Sequence, residues 1–332
     1  IGLFIAFLGL QDAKLVIPSE STGVTLASFN LLGGAGWGAV MPLIVAVFSL
    51  LLIAVLSHKK VKGSILWGIL GGTGLYYILG FTVKDFYKGF AETLSFNPFK
   101  PFSAFASEAF GKVFTEGFDF SAYLSADGHS VGGLVILFIT TALAFCMVDM
   151  FDTLGTLYGA CRGGNLLVKN DKGELEVPNM DRAMMADAVA TCTGSVLGTS
   201  TVTTFVESSA GVAAGGKTGV TSLVTAAAFA VALFFAPIAK LIPPYAYGAA
   251  LIYVGVLMIG SVKDIDWKDV SVSVPAFLTI AMMPFTYNIS YGIAFGLFSY
   301  VIIKAFCGEI KQIKIGTWVV TALFVAMFFL TH

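Results

Sequence analysis

The 332 residues are 57% hydrophobic and 12% charged, with a net charge of −1 and a mean hydropathy of +0.88. Soluble domains carry roughly 25% charged residues, so this composition excludes a water-soluble globule and indicates a polytopic, all-α membrane protein. The charge leaves no footprint for nucleic acid. Four cysteines (Cys146, Cys161, Cys192, Cys307) without disulfide or zinc spacing, and three unclustered histidines, point to no metal and no cofactor.

The chain opens on Ile1 inside an apolar run and reads as a piece of a longer protein, with residues 1–17 as the tail of a spanning helix. Residues 38–57 are a full span of about 20 apolar residues. Lys59, Lys60 and Lys62 follow at once and place that loop in the cytoplasm. Residues 64–82 span next, and Gly68, Gly71, Gly72 and Gly74 suit close helix packing. Residues 83–128 break the pattern: Phe86, Phe90, Phe96, Phe99, Phe102, Phe105, Phe110 and Phe114 recur among Lys, Glu, Ser and Pro. This spacing suits an amphipathic segment in the outer interface better than an aromatic ligand box.

Residues 131–159 form a long helix that ends in Met147-Val-Asp149-Met-Phe151-Asp152-Thr-Leu-Gly155-Thr156. A polar loop, 161–182, carries Arg162, Lys169, Lys172 and Arg182 and reads as cytoplasmic. Residues 183–198, rich in Ala, Gly and Thr and containing Asp187, suit a bundle interior. The run Ser200-Thr-Val-Thr-Thr-Phe205 is β-branched and polar, and predicts extended backbone. At membrane depth such backbone is tolerated only when buried in protein or lining a cavity. Glu207, in Glu-Ser-Ser-Ala-Gly211, then falls at the N-terminus of a half-helix, a known way to build a transporter site.

Residues 219–242 and 245–261 are two further spans. The stretch 272–306 divides at Pro284–Gly292, and its basic flanks predict a hairpin of two short segments returning to the cytoplasmic side. Residues 315–331 are a last apolar helix.

Carboxylates at membrane depth are costly, so Asp149, Asp152 and Glu207 mark a solute site. Asp149 and Asp187 equally admit a structural role, bonding backbone freed by the broken segment. Asp149 and Asp152 lie three apart on one helix face, unlike the paired aspartates of intramembrane aspartyl hydrolases, whose Gly-x-Gly-Asp motif is missing. Gly211–Thr218 matches GxxxxGK[ST], but its apolar flanks lack the strand and second acidic strand of a nucleotide-binding loop.

The stretches Val148–Leu157, Leu197–Thr203, Glu207–Gly216 and Pro275–Tyr287 resemble the AzgA-type adenine/guanine/hypoxanthine permeases of the nucleobase–cation symporter 2 (xanthine/uracil permease) superfamily. The resemblance implies fourteen spans in two inverted repeats forming a core and a gate domain. On that plan residues 1–82 are the first part of the gate (segments 5–7), 83–130 an interfacial connection, 131–242 the second half of the core (segments 8–11), and 243–332 the second part of the gate (segments 12–14). It also carries the segment-eight carboxylate of the family onto Asp152 and the segment-ten carboxylate onto Glu207. Thr156 stands where uracil-type relatives have an imidazole, and Thr204–Glu207 is similar to their Thr-Phe-Gly-Glu, which implies substrate contact at Phe205 and Val206.

The chemistry agrees with that implication. A purine base is planar and neutral, with N–H donors and acceptors on its edges. Glu207 can take two N–H bonds from one edge, with Ser208 beside it, while backbone N–H groups serve the acceptors. Phe151 or Phe205 offers a ring for stacking, and desolvation suits Asp152, Glu207 and Asp149 to proton coupling. The resulting expectation is a purine importer driven by proton symport in a bacterial inner membrane, embedded in lipid and able to form a homodimer. The alternatives are a uracil or xanthine permease, a sulfate-type anion carrier (disfavoured by Glu207), a structural subunit, or an intramembrane aspartyl hydrolase.

Overall fold

Wherever the sequence is apolar for most of a bilayer's depth, the chain is helical. The computed structural model describes all residues except 31–35, 84–85, 87–102, 104, 126–129, 171–172, 174, 206, 236–238 and 332. In chain order the elements are α1 (Gly2–Asp12), a hairpin of β1 (Val16–Ser19) and β2 (Gly23–Leu26), α2 (Trp37–His58) and α3 (Ser64–Gly80). A π-helical turn at Phe105–Ala109 and two single turns, α4 (Lys112–Thr115) and α5 (Ser121–Leu124), precede the 33-residue α6 (Val131–Gly163). A short hairpin, β3 (Val168–Lys169) with β4 (Leu175–Glu176), leads into α7 (Met180–Leu197). Then come α8 (Ser208–Ala213), α9 (Gly219–Phe234), α10 (Pro244–Ile259) with a 3₁₀ extension over Gly260–Asp264, α11 (Val270–Thr286), α12 (Ile289–Phe306) and α13 (Ile315–Thr331). Among the described residues, α2, α6, α10 with its extension, and α12 are long and apolar enough to cross a membrane; α1, α3, α9, α11 and the first part of α13 are shorter apolar helices.

The chain forms two compact units. One comprises residues 2–104 and 207–259; the other comprises Ile1, 105–206 and 260–332. In the first, helices meet through missing side chains rather than through large ones. A Cβ on Gly9 of α1 would lie 2.6 Å from the Gly248 carbonyl oxygen of α10, and one on Gly255 would lie 2.5 Å from that of Gly2. Likewise α3 lies on α2 so closely that a Cβ at Gly68 would be 2.0 Å from Ile53 Cγ1, and one at Gly72 would be 1.7 Å from Ser49 Oγ. Gly71 faces Leu52 in the same way, whereas Gly74 faces open space, so three of the four glycines read as packing residues do pack. With lipid on the outside no water is expelled by helix contact, and close backbone approach supplies the attraction. Ala13, Leu15, Ala27, Leu43, Ala46 and Ile252 close the core beside the β1–β2 hairpin.

In the second unit, α6 packs on α7, α12 and α13. Met147, Ala294 and Phe324 are its buried centre, with Phe151 and Leu143 against them. The break predicted at Pro284–Gly292 is a tight turn. Tyr287 takes a left-handed φ of +55°, and Asn288 Oδ1 caps α12 by accepting from the Ser290 N–H at 2.8 Å. Helices α11 and α12 then run together, and a Cβ at Gly296 would sit 1.8 Å from Thr279 Oγ1. The Gly292–Gly296 pair is therefore used inside the chain. Arg162, at the end of α6, is ion-paired with Asp264, so the basic loop after α6 and the one before α11 lie at the same end of this unit.

About half of the aromatic stretch 83–128, including Phe90, Phe96, Phe99 and Phe102, lies outside the described residues. Where it is described it forms short helical turns, joined to α7 by the Gly111 N–H donating to the Val196 carbonyl at 3.0 Å.

Candidate functional site

Helix α6 carries Asp149, Asp152, Thr153 and Thr156 along one stripe, at the i, i+3, i+4 and i+7 positions that share a face. Thr153 and Thr156 are fully buried, and Thr156 Oγ1 has no hydrogen-bond partner among the described residues. Asp152 is half-buried, with Oδ1 removed from solvent.

Helix α7 ends at Gly198, whose φ of +75° turns the chain sharply. A side chain there would meet the Ala109 carbonyl oxygen at 2.3 Å, so glycine is demanded both by the backbone and by the space. Residues 199–205 then run on in neither helix nor strand. Threonine hydroxyls hold this segment. Thr201 Oγ1 donates to Asp149 Oδ1 at 3.0 Å, Thr203 and Thr153 hydroxyls meet at 2.9 Å, and Thr204 Oγ1 donates to Asp187 Oδ1 at 3.0 Å. From α7, Thr191 Oγ1 reaches the Val202 carbonyl at 3.2 Å. Thr201 and Thr203 thus face α6 while the Val202 carbonyl faces α7, which is the period of two of an extended chain. Backbone without a ladder needs other partners at membrane depth; Thr191 of α7 supplies one at the Val202 carbonyl, while the remaining ties to α6 and α7 run through the threonine side chains.

A cavity of about 540 Å³ opens beside this segment, within the size range of small-molecule sites. Its walls include Asp149, Thr191, Thr201 and Thr203, with Phe145 and Cys146.

Of the residues singled out from the sequence, Asp149, Phe151, Asp152 and Phe205 belong to this unit. Asp149 borders the cavity. Phe151 is stacked on Phe324, with ring centroids 5.8 Å apart, so its ring is committed to packing. Phe205 is 57% exposed. Val206 lies outside the described residues. Glu207 and Ser208 belong to the other unit, where both are exposed. Glu207 stands at the N-terminal end of α8, as the half-helix reading requires; its carbonyl accepts from the Ala210 N–H at 3.0 Å, and its carboxylate makes no capping bond among the described residues. Helix α8 packs on α10, with Ser209 buried. The GxxxxGK[ST] match begins within α8 and follows a helix, not a strand.

Sequence reasoning did not find the threonine partners: Thr153, Thr191, Thr201, Thr203 and Thr204. Their signal was the alternation Thr201-Val202-Thr203 beside two helices that each bring an aspartate.

Apolar helices long enough to cross a bilayer mark a multi-pass membrane protein, and an extended polar segment beside carboxylates is the kind of part from which transporter sites are built. The xanthine/uracil permease model, described as Permease family, matches residues 1–295. The chain belongs to that family, which consists of transporters and not enzymes. It is 39% identical over 329 residues to Putative permease MJ0326 of Methanocaldococcus jannaschii, covering 99% of this chain and 66% of that protein. It is 36% identical to the guanine/hypoxanthine permease PbuO of Bacillus subtilis (99% and 68% covered) and 32% identical to the adenine permease AdeQ of Escherichia coli (98% and 64%). The chain thus spans about two thirds of the length of these relatives. The resemblance to the adenine/guanine/hypoxanthine branch is borne out.

Proposed function

We propose that this protein imports purine nucleobases across the cell inner membrane by proton symport. The observation that carries the reading is the extended 199–205 segment, held by Asp149 and Asp187 and followed in the chain by Glu207, an exposed carboxylate that makes no capping bond among the described residues. A carboxylate left unpaired in a membrane protein is costly unless a ligand or proton completes it. The relatives named for adenine and for guanine/hypoxanthine supply the substrate class.

In this reading Glu207 accepts two N–H bonds from one edge of the base, Ser208 and the backbone at Phe205 and Val206 complete the polar contacts, and Phe205 supplies the stacking face. Phe151 has a lesser claim because Phe324 already covers its ring. Asp152 takes up the coupled proton, with Asp149 and its hydroxyl partners as the adjoining network. Residues 1–82 and 243–332 serve as gate, residues 131–242 as core, and 83–130 as the connection between them. The family's uracil and xanthine branch is the second reading; the adenine and guanine/hypoxanthine relatives favour the first.

The test is uptake of labelled hypoxanthine by cells lacking their own purine permeases and expressing the protein. Uptake that is sensitive to protonophore and blocked by cold adenine or guanine, but not by uracil, supports the proposal. Uptake lost in Glu207→Gln yet indifferent to protonophore keeps the binding site and removes the coupling. No uptake of any base, from protein shown to reach the membrane, overturns the substrate.

A further inference from the structure

One buried carboxylate takes no part in binding or proton transfer as described above: Asp187. It is 8% exposed, on a helix whose other fully buried residue, among those described, is Gly194. Asp187, Thr191 and Gly194 share one stripe of α7 by their spacing of four and three. Everything they touch across that stripe includes the 199–204 segment. Asp187 accepts from Thr204, Thr191 donates to the Val202 carbonyl, and a Cβ at Gly194 would lie 2.5 Å from Val202 Cγ2 and 2.8 Å from Thr199 Oγ1.

The proton directions around Asp187 are determined. Thr153 Oγ1 donates to Asp187 Oδ2 at 2.7 Å and Thr204 Oγ1 donates to Asp187 Oδ1 at 3.0 Å. Thr153 has then spent its one proton, so the 2.9 Å contact with Thr203 is donated by Thr203. The chain Thr203 → Thr153 → Asp187 ← Thr204 ties two consecutive residues of the segment, whose side chains point to opposite sides, to a single carboxylate. It also joins the segment to the residue next to Asp152.

We propose that Asp187 is a positioning residue for transport: it fixes the register of residues 199–204, which border the cavity and precede Glu207 in the chain. This rests on the reading of Glu207 as the base-binding carboxylate, and it makes Asp187 act through Thr153, Thr203 and Thr204 without touching the base.

The experiment compares Asp187→Ala, Asp187→Asn, Thr204→Val and the Asp187→Ala/Thr204→Val pair in the complete permease, with hypoxanthine uptake normalised to protein in the membrane. Removing the acceptor raises KM about tenfold, the low end for the loss of one hydrogen bond to a charged group. Asn keeps one acceptor and restores part of the loss. The double variant is no worse than Asp187→Ala, because both changes cut the same tie. The pH profile of uptake in Asp187→Asn stays that of the parent. Should Asp187→Ala fail to reach the membrane, Thr204→Val and Asp187→Asn carry the same KM test.

Hydrogen exchange of the purified protein gives a readout independent of substrate. Amides of 199–205 exchange about tenfold faster in Thr204→Val while those of α12 do not change. A parental KM together with parental exchange in these variants overturns the proposal. A shifted pH profile in Asp187→Asn overturns it in favour of a proton-carrying role. If the parent moves no base at all, the assignment of function falls, and the exchange result alone decides whether Asp187 holds the segment.

Discussion

Two interfaces in this molecule bring backbone close to backbone by opposite means. Where α3 lies on α2, contact is made by deletion: Gly68 and Gly72 leave room for Ile53 and Ser49, and the helices keep their own hydrogen bonds. Where α7 meets residues 199–204, contact is made by addition. The segment has given up helical bonds; Thr191 replaces one at the Val202 carbonyl, and the Thr204 hydroxyl ties the segment to Asp187, while Thr201 and Thr203 tie it to Asp149 and Thr153 of α6. The first arrangement suits a fixed joint, because nothing in it can change partner or charge. The second consists of groups that can exchange hydrogen bonds, and it borders a cavity, which suits it to the binding role proposed for it.

That contrast can be broken by substitutions that should act on affinity at one interface and on stability at the other. The largest effect is expected at Glu207. Replacement by Gln removes charge-assisted bonds of about 1.5–3 kcal/mol each, so purine uptake should fall roughly 100-fold if two are lost, with protein level unchanged. Uptake within a few-fold of the parent would remove Glu207 from the site. Asp149→Asn comes next. Its carboxylate accepts from Thr201 and borders the cavity, so uptake should fall about tenfold and lose part of its protonophore sensitivity. On the packing side, Gly72→Val forces a side chain against Ser49. Overpacking of this kind costs about 1–3 kcal/mol, so the unfolding temperature in detergent should drop while KM holds. A changed KM with an unchanged melting point would erase the distinction between the two interfaces. The smallest effect is expected for Thr193→Val. Thr193 is exposed and returns its hydroxyl to the Val189 carbonyl of its own helix at 2.7 Å. Both uptake and melting should stay close to the parent, within about 0.5 kcal/mol.

The spans were legible because bilayer thickness imposes a length on apolar runs, and α2, α6 and α12 fall where the hydropathy put them. The division at Pro284–Gly292 was legible from its polar, aromatic turn, and Glu207 from the half-helix it opens. The β1–β2 hairpin and the two-residue pairing of β3 with β4 were not, since loops between spans carry little hydrophobic pattern. Phe151 shows the limit of reading a site by residue type: an aromatic beside two aspartates looks like a stacking platform, yet Phe324 occupies its face. Asp187 stood open between structural and functional roles, because its meaning depends on Thr153, 34 residues before it, and Thr204, 17 after. Pairings at such distances are set by how helices lie together and leave no periodic trace in the sequence.

The antiparallel path of the segment along α7 makes the pair work like a vernier. Four residues of helix rise about 6 Å and two residues of extended chain about 6.6 Å. Asp187 and Thr191 therefore keep step with Thr204 and Val202. The two scales coincide only in whole steps. A single residue inserted between Gly198 and Thr204 would not loosen the arrangement slightly; it would move threonine faces from one helix to the other all along the run.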